Sequence, residues 1–156
     1  MLRQLFISSL FIFFFFPTYA FTEEKAQPIK GPIIITSATL TADNQAHTVL
    51  FENSVIARST DMTLNADQML VHYDEEYGDI TKIIAKGNIK LIKGTRVITA
   101  KEATYYADKE TIIFTGEPRA VEKENVVTGK KMTYYLDEDR FLVEESKVFL
   151  KRKKGQ

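Results

Sequence analysis

Between residues 38 and 145 the chain repeats one short pattern of apolar and polar positions four times. Each repeat opens with apolar residues at every second position, ending at an Asp: Ala38-x-Leu40-x-Ala42-Asp43, Met69-x-Val71-x-Tyr73-Asp74, Ala103-x-Tyr105-x-Ala107-Asp108 and Met132-x-Tyr134-x-Leu136-Asp137. A second alternating run follows each Asp: Val49-x-Phe51, Ile83-x-Ala85, Ile112-x-Phe114 and Phe141-x-Val143. Two residues after each of these stands Asn53, Gly87, Gly116 or Glu145. The Asp-to-Asp steps are 31, 34 and 29 residues. Strict alternation is the signature of a strand with one buried face, and a fixed period of this length signals a repeat architecture.

No helical period of useful length occurs from Pro32 to Leu150. Val, Ile, Thr, Tyr and Phe are abundant, as strands prefer. Turn signals fall at Asp43-Asn44, Asn53-Ser54, Glu76 to Asp79, Lys93-Gly94, Asp108 to Glu110, Glu124-Asn125 and Asp137 to Asp139. The runs between them predict a dozen or more short strands, and Ile33-Ile34-Ile35 reads as the first. The pattern is that of an all-β antiparallel sandwich, barrel or stacked roll built from repeated hairpins.

Phasing the runs places Leu40, Val49, Phe51, Val71, Ile83, Leu91, Tyr105, Ile112, Phe114, Tyr134, Phe141 and Val143 on one inner face. The intervening positions, among them Thr39, Thr41, Gln68, His72, Glu102, Thr104 and Thr133, are largely polar. Each hairpin therefore has an apolar and a wet side, and stacking aligns the apolar sides. On this pattern alone the inner face is either an ordinary sandwich core or a lining that covers an apolar ligand.

The N-terminus reads differently. Arg3 precedes twelve residues, Leu5 to Phe16, that are apolar apart from Ser8 and Ser9. Pro17 breaks the run, and Thr18-Tyr19-Ala20 offers small residues to a signal peptidase. A spanning helix needs roughly 20 apolar residues, so residues 1–20 are expected to be a cleaved signal peptide; a retained membrane anchor is the alternative. Residues 21–31 read as a flexible lead-in, 32–150 as one domain and 151–156 as a basic tail. The tail either solvates the chain end or meets an anionic partner.

The remaining composition narrows the function. With Arg3 removed, 20 Lys and Arg face 21 Asp and Glu, and such neutrality argues against a nucleic-acid binder. The chain has no Cys, so an exported form must be stable without disulfides. His47 and His72, the two histidines, lack a metal-ligand spacing, and His72 is expected to be solvated or hydrogen-bonded. Asp74-Glu75-Glu76 departs from a calcium-loop pattern. Gly129-Lys130-Lys131 lacks the earlier Gly and the Ser or Thr of a phosphate loop, and no nucleophile elbow is present. The repeated Asp residues are explained by turn chemistry. No catalytic residue, cofactor or metal is expected.

The same residues resemble the LptA/OstA-like family of lipopolysaccharide transport proteins. The resemblance is carried by Ile35-Thr36-Ser37 with Ala38, Phe51 to Val55, Leu64 to Asp67 with Val71, Ala85-Lys86-Gly87-Asn88, Ala100 with Tyr105, Phe114-Thr115-Gly116-Glu117, and Thr128 to Tyr134. It runs from about Ile33 to Val148. Asn53-Ser54 and Glu145-Ser146 depart from the family's Gly-Asn, and Ser37 runs straight into Ala38. The resemblance implies an open, twisted antiparallel β-jellyroll, folded like a taco around an apolar groove that binds lipid A acyl chains, with Ile33 and Ile35 near one rim. It implies a periplasmic location and partners of the inner-membrane LptC-like and outer-membrane LptD-like kinds. The edges expected from an open sheet, Ile33 to Ser37 and Ser146 to Leu150, would support head-to-tail self-association. The alternatives are a membrane-anchored LptC-like component, with Leu5 to Phe16 as its helix, and a structural β-repeat protein without ligand.

Overall fold

In the computed structural model, which describes residues 32–151, twelve strands form one antiparallel sheet: β1 (Ile34–Thr36), β2 (Thr39–Asp43), β3 (Thr48–Arg58), β4 (Met62–Tyr73), β5 (Ile80–Lys93), β6 (Arg96–Tyr106), β7 (Thr111–Thr115), β8 (Arg119–Glu122), β9 (Asn125–Thr128), β10 (Lys131–Tyr135), β11 (Arg140–Glu144) and β12 (Lys147–Phe149). The expected signal peptide and lead-in, and all of the basic tail beyond Lys151, lie outside the described residues. Among the described residues no helix is long and apolar enough to cross a membrane.

Each Asp between the two runs of a sequence repeat sits where a hairpin turns. The Asp43 carboxylate accepts the Gln45 and Ala46 N–H groups at 3.0 and 2.9 Å. Asp74 accepts those of Tyr77 and Gly78 at 2.7 and 3.2 Å, and Asp137 that of Glu138 at 2.9 Å. Such bonds satisfy backbone donors that the ladder cannot reach at a turn. The Asp108 turn closes through backbone instead, with Glu110 N–H donating to the Ala107 carbonyl at 3.3 Å.

The positions that end each repeat do something else. Asn53, Gly87, Gly116 and Glu145 all take left-handed φ values, of 64, 74, 76 and 51°. Ser54, Asn88 and Glu117 directly after the first three do the same, at 56, 48 and 61°. The ladder slips at these places, between Glu52 and Val55, between Lys86 and Ile89, and between Asn65 and Gln68 on the strand between them. A bulge kinks its strand and sharpens the local twist, and here the kinks line up across the sheet. The sheet therefore folds along this line into two walls. Gly87 and Gly116 are required there: a Cβ on Gly87 would strike the Asp67 carboxylate, and one on Gly116 the Lys101 side chain.

The bend corrects the expectation of uniformly short strands. Strands β3, β4, β5 and β6 are 11, 12, 14 and 11 residues long because each crosses the line and serves both walls. Asn53-Ser54 is accordingly a bulge within β3, not a chain reversal. One wall carries the Asp turns and orders its strands β2-β3-β4-β5-β6-β7-β10-β11; the opposite wall orders them β1-β3-β4-β5-β6-β8-β9-β12. Among the described residues, strands β1 and β2 both pair only with β3, β11 only with β10, and β12 only with β9. Each end of the sheet thus has two open edges, where the sequence reading named one.

Register turns the alternation into cross-strand rows. Beside the fold line on the Asp-turn wall, Leu40, Phe51, Met69, Ala85, Ala103, Phe114, Met132 and Val143 pair in sequence from β2 to β11. Two residues farther from the line, a second row runs from Ala42 through Val49, Val71, Ile83, Tyr105, Ile112 and Tyr134 to Phe141. The opposite wall answers with Ile35, Ala57, Leu64, Leu91, Ile98, Ala120, Val127 and Val148. Phe114, Met132, Tyr134, Met69 and Ile98 have no exposure. The outward side is less wet than its alternation suggests, because Leu50, Leu70, Ile84 and Ile113 fall in one outer row and are half-buried.

Candidate functional site: an apolar groove between two walls

The inner rows of the two walls face each other, and the space they leave is an apolar groove with two chambers. The N-terminal chamber encloses about 530 Å³, part of it open to solvent, and is lined by Met62, Leu64, Met69, Ile83, Leu91, Tyr105 and Ile112, with Ile33 at its rim. Its lining has one charged side chain, Arg58. Burial pushes the Tyr105 phenol up to about 12, helped by the Glu110 carboxylate. The ring therefore stays neutral across the physiological range and adds no charge to the lining.

The C-terminal chamber encloses about 680 Å³ and also opens to solvent. Ala120, Val127, Met132, Phe141 and Val143 line its floor, while Arg96, Glu122 and Asn125 stand at its mouth. At the mouth of this chamber a polar clasp joins the walls. Lys93, from the opposite wall, donates its ammonium to the Tyr134 hydroxyl at 2.7 Å. That hydroxyl donates in turn to Oδ1 of Asp139 in the last Asp turn. Arg96 donates to the same Oδ1 at 3.1 Å, and Lys93 Nζ lies 3.6 Å from it. Glu122 and Asp61 complete the cluster, at 3.3 Å from Arg96 and 3.6 Å from Lys93. Tyr134 stacks on Phe141 with ring centroids 4.1 Å apart, and the Arg96 guanidinium lies 4.8 Å over the Phe141 ring.

The clasp's electrostatics follow from this geometry. The Tyr134 hydrogen bond holds the Asp139 carboxyl below its ordinary value despite partial burial, and Arg96 and Lys93 reinforce it. Burial acts to lower Lys93, but the Tyr134 hydroxyl and the Asp139 and Asp61 carboxylates outweigh it and hold the ammonium above its usual value. Burial raises Tyr134, and its bond to Asp139 adds to the effect. These shifts favour Lys93 and Arg96 as cations, Asp139 as a carboxylate and Tyr134 as a neutral phenol.

The positions phased onto the inner face fall in different parts of this groove. Ile33, Ile83, Leu91, Tyr105 and Ile112 line the N-terminal chamber, and Phe141 and Val143 the C-terminal one. Val71 is buried beside the first chamber, and Val49, Phe51 and Ile35 are half-buried. Leu40 shares their face but stands 56 % exposed on edge strand β2. Phe114 is wholly buried beside the fold line, outside both linings, and Tyr134 is taken up in the clasp. Met62 and Leu64 stand an odd number of residues from Met69 across the bulge and so fall outside the Asp-anchored phase, and Ala120 and Val127 lie on short strands that carry no Asp anchor. Met69 and Met132 lie on that phase and were read only as repeat markers.

The other flagged features are structural. His72 is on the outer side of β4, but its Nε2 is buried without a hydrogen-bond partner among the described residues, contrary to the expectation of a satisfied ring. Gly129 lies on the fold line, where its N–H donates to the Pro118 carbonyl at 3.3 Å. Among the described residues no group of three or more His, Cys, Asp or Glu side chains could hold a metal.

Residues 34–140 match the family described as LptA/(LptD N-terminal domain) LPS transport protein. No curated protein matches the chain. Among solved structures, the chain is similar to the crystal structure of LptH, the LptA homologous periplasmic component of the conserved lipopolysaccharide transport device from Pseudomonas aeruginosa. The TM-score is 0.71 at 8 % identity, covering 81 % of this chain and 99 % of that one. At that identity the likeness shows a shared fold, the open β-jellyroll.

Proposed function

We propose that this chain, which belongs to the LptA/LptD N-terminal domain family of lipopolysaccharide transport proteins, covers the acyl chains of lipopolysaccharide in its groove as the lipid crosses the periplasm. The observation that carries this reading is the continuity of the apolar rows from one open end of the sheet to the other. Each buried methylene is worth about 0.8 kcal/mol, so an acyl chain of roughly a dozen carbons left in water would cost on the order of 10 kcal/mol. A lipid can cross an aqueous gap only under unbroken cover. Repeated, similar side chains supply cover without one deep minimum, so the chain can slide. The protein does no chemistry in this role, and the energy for movement comes from elsewhere.

The reading extends to the ends of the molecule. Residues 1–20 act as the export signal and are removed, 21–31 lead into the domain, and 151–156 form the basic tail. Edge strands β1 and β2 present Ile34 and Leu40, 60 and 56 % exposed, and β12 presents Val148 and Phe149, 51 and 56 % exposed. Unpaired edges of this kind add strands from another molecule. Copies of this chain thus join head to tail, and the terminal edges meet LptC-like and LptD-like partners at the two membranes. Light scattering should show a mass that grows with concentration, and a strict monomer throughout would remove this part of the proposal.

The groove itself is tested at Tyr105 and Ile112. Tyr105→Asp and Ile112→Asp should abolish lipopolysaccharide binding while the far-ultraviolet circular dichroism keeps its β signal. A photo-crosslinker at Tyr105 should label lipopolysaccharide in the parent chain. Binding that survives both substitutions would sink the groove assignment.

A further inference from the structure

The clasp has the form of an occupied anion site. Three donors from separate strands, the Tyr134 hydroxyl, the Lys93 ammonium and the Arg96 guanidinium, converge on one oxygen, Oδ1 of Asp139. The occupant is the least anchored member. Asp139 sits in the four-residue turn between β10 and β11, at a left-handed φ of 46°, with its side chain 58 % exposed. The donors are fixed: Lys93 and Arg96 are 23 and 21 % exposed and sit on paired positions of β5 and β6, and Tyr134 is wholly buried. Asp139 can therefore swing into solvent while the three donors stay in place.

On the reading that the groove carries acyl chains, we propose that Tyr134, Lys93 and Arg96 form a cradle for an anionic oxygen of the lipid headgroup, a phosphate ester, and that Asp139 is its built-in stand-in. An amphiphile with its tails between the walls leaves its headgroup at the mouth, and the cradle is at the mouth. The exchange leaves the charge count unchanged for a monoanion, because the entering oxygen replaces the departing carboxylate. Glu122 and Asp61 stay beside Arg96 and Lys93 throughout. A phosphate can also take two parallel N–H bonds from a guanidinium, as Arg favours. The cradle stops the slide of a lipid where the apolar lining does not, so it marks a resting position along the groove.

The test uses two lipids on the full chain: a tetra-acylated, bis-phosphorylated glucosamine disaccharide, and the same lipid with its phosphates removed. The parent chain should bind the phosphorylated lipid more tightly. Arg96→Met and Lys93→Met should each cut that preference roughly tenfold. Asp139→Asn should raise the preference, because it removes the competing carboxylate and keeps the donors. A cluster that merely braces the fold would be weakened by all these substitutions, so Asp139→Asn and Arg96→Met moving the preference in the same direction overturns the proposal. Each preference is a ratio of two lipids on one variant, so partial misfolding cancels. Failure of the dephosphorylated lipid to bind the parent chain would bring down the groove reading, and the cradle with it. Inorganic phosphate that saturates Asp139→Asn at the lipid's own concentration would reassign the cradle to free phosphate and overturn its headgroup role.

Discussion

The two chambers of the groove are built from the same ladder, yet their mouths differ. On the opposite wall the outermost inner row begins with Met62 on β4 and continues as Lys93, Arg96 and Glu122 on β5, β6 and β8, each in register with the one before. Wall and register are constant along this row, while the side chains change from thioether to charge. The N-terminal mouth is consequently apolar, and the C-terminal mouth is bridged to the Asp-turn wall by Tyr134 and Asp139. A jellyroll of repeats therefore need not be uniform along its length. The bulges and turns repeat to make the fold, and one row is free to diverge and give the two ends separate tasks.

The largest expected effect comes from a residue of the row beside the fold line, outside the lining of either chamber. Phe114 is wholly buried beside the fold line, paired with Ala103 on one side and Met132 on the other. Phe114→Ala should destabilise the domain by about 3–5 kcal/mol through lost burial and the cavity left behind, read by urea denaturation. Lipid labelling should fall in both chambers together. If labelling at Tyr105 were kept while labelling at Val127 was lost, the chambers would be separate folding units and the comparison would need recasting.

A smaller effect separates them. Tyr134→Phe keeps the ring stacked on Phe141 but removes the hydroxyl between Lys93 and Asp139. It should cost about 1.5–3 kcal/mol, the range for a hydrogen bond to charged groups. Tyr105→Phe makes the same chemical change in the apolar chamber and should cost less. Equal costs by denaturation would show that the clasp contributes nothing beyond an ordinary phenol.

What could be read from residues alone follows this division. The Asp turns and the alternation between them are local signals, and they placed four hairpins and most of the Asp-turn wall. Asn53, Gly87, Gly116 and Glu145 were visible as a recurring position, but the bend they make was not, since a turn and a bulge use the same left-handed residues. Missing the bend hid part of the opposite wall, because the ladder takes six residues on β3 from Phe51 to Ala57 but five on β4 from Met69 to Leu64, and the odd step puts Leu64 out of the phase set by Met69. The clasp was also out of reach of any local pattern. Lys93 and Tyr134 are 41 residues apart, and nothing in the sequence near Lys93 separates it from an ordinary hairpin lysine beside Gly94.

Acid gives the smallest effect and the most selective one. Asp139 has its folded value depressed below the ordinary 3.8, first by the Tyr134 hydrogen bond. A carboxyl shifted this way contributes stability that is fully present above its unfolded value and is lost as pH falls through its folded value. The clasp should therefore hold unchanged from neutral pH down to about 4 and weaken below that, as Asp139 takes up a proton and releases Lys93 and Arg96. The lining of the N-terminal chamber holds no Asp or Glu, and Tyr105 is neutral on the acid side of about 12. The stability difference between the parent chain and Asp139→Asn should be constant above pH 4 and shrink below it, and labelling of a bound lipid at Tyr105 should not follow that change. A difference that instead shrank between pH 7 and 5 would assign the clasp's strength to a group other than Asp139.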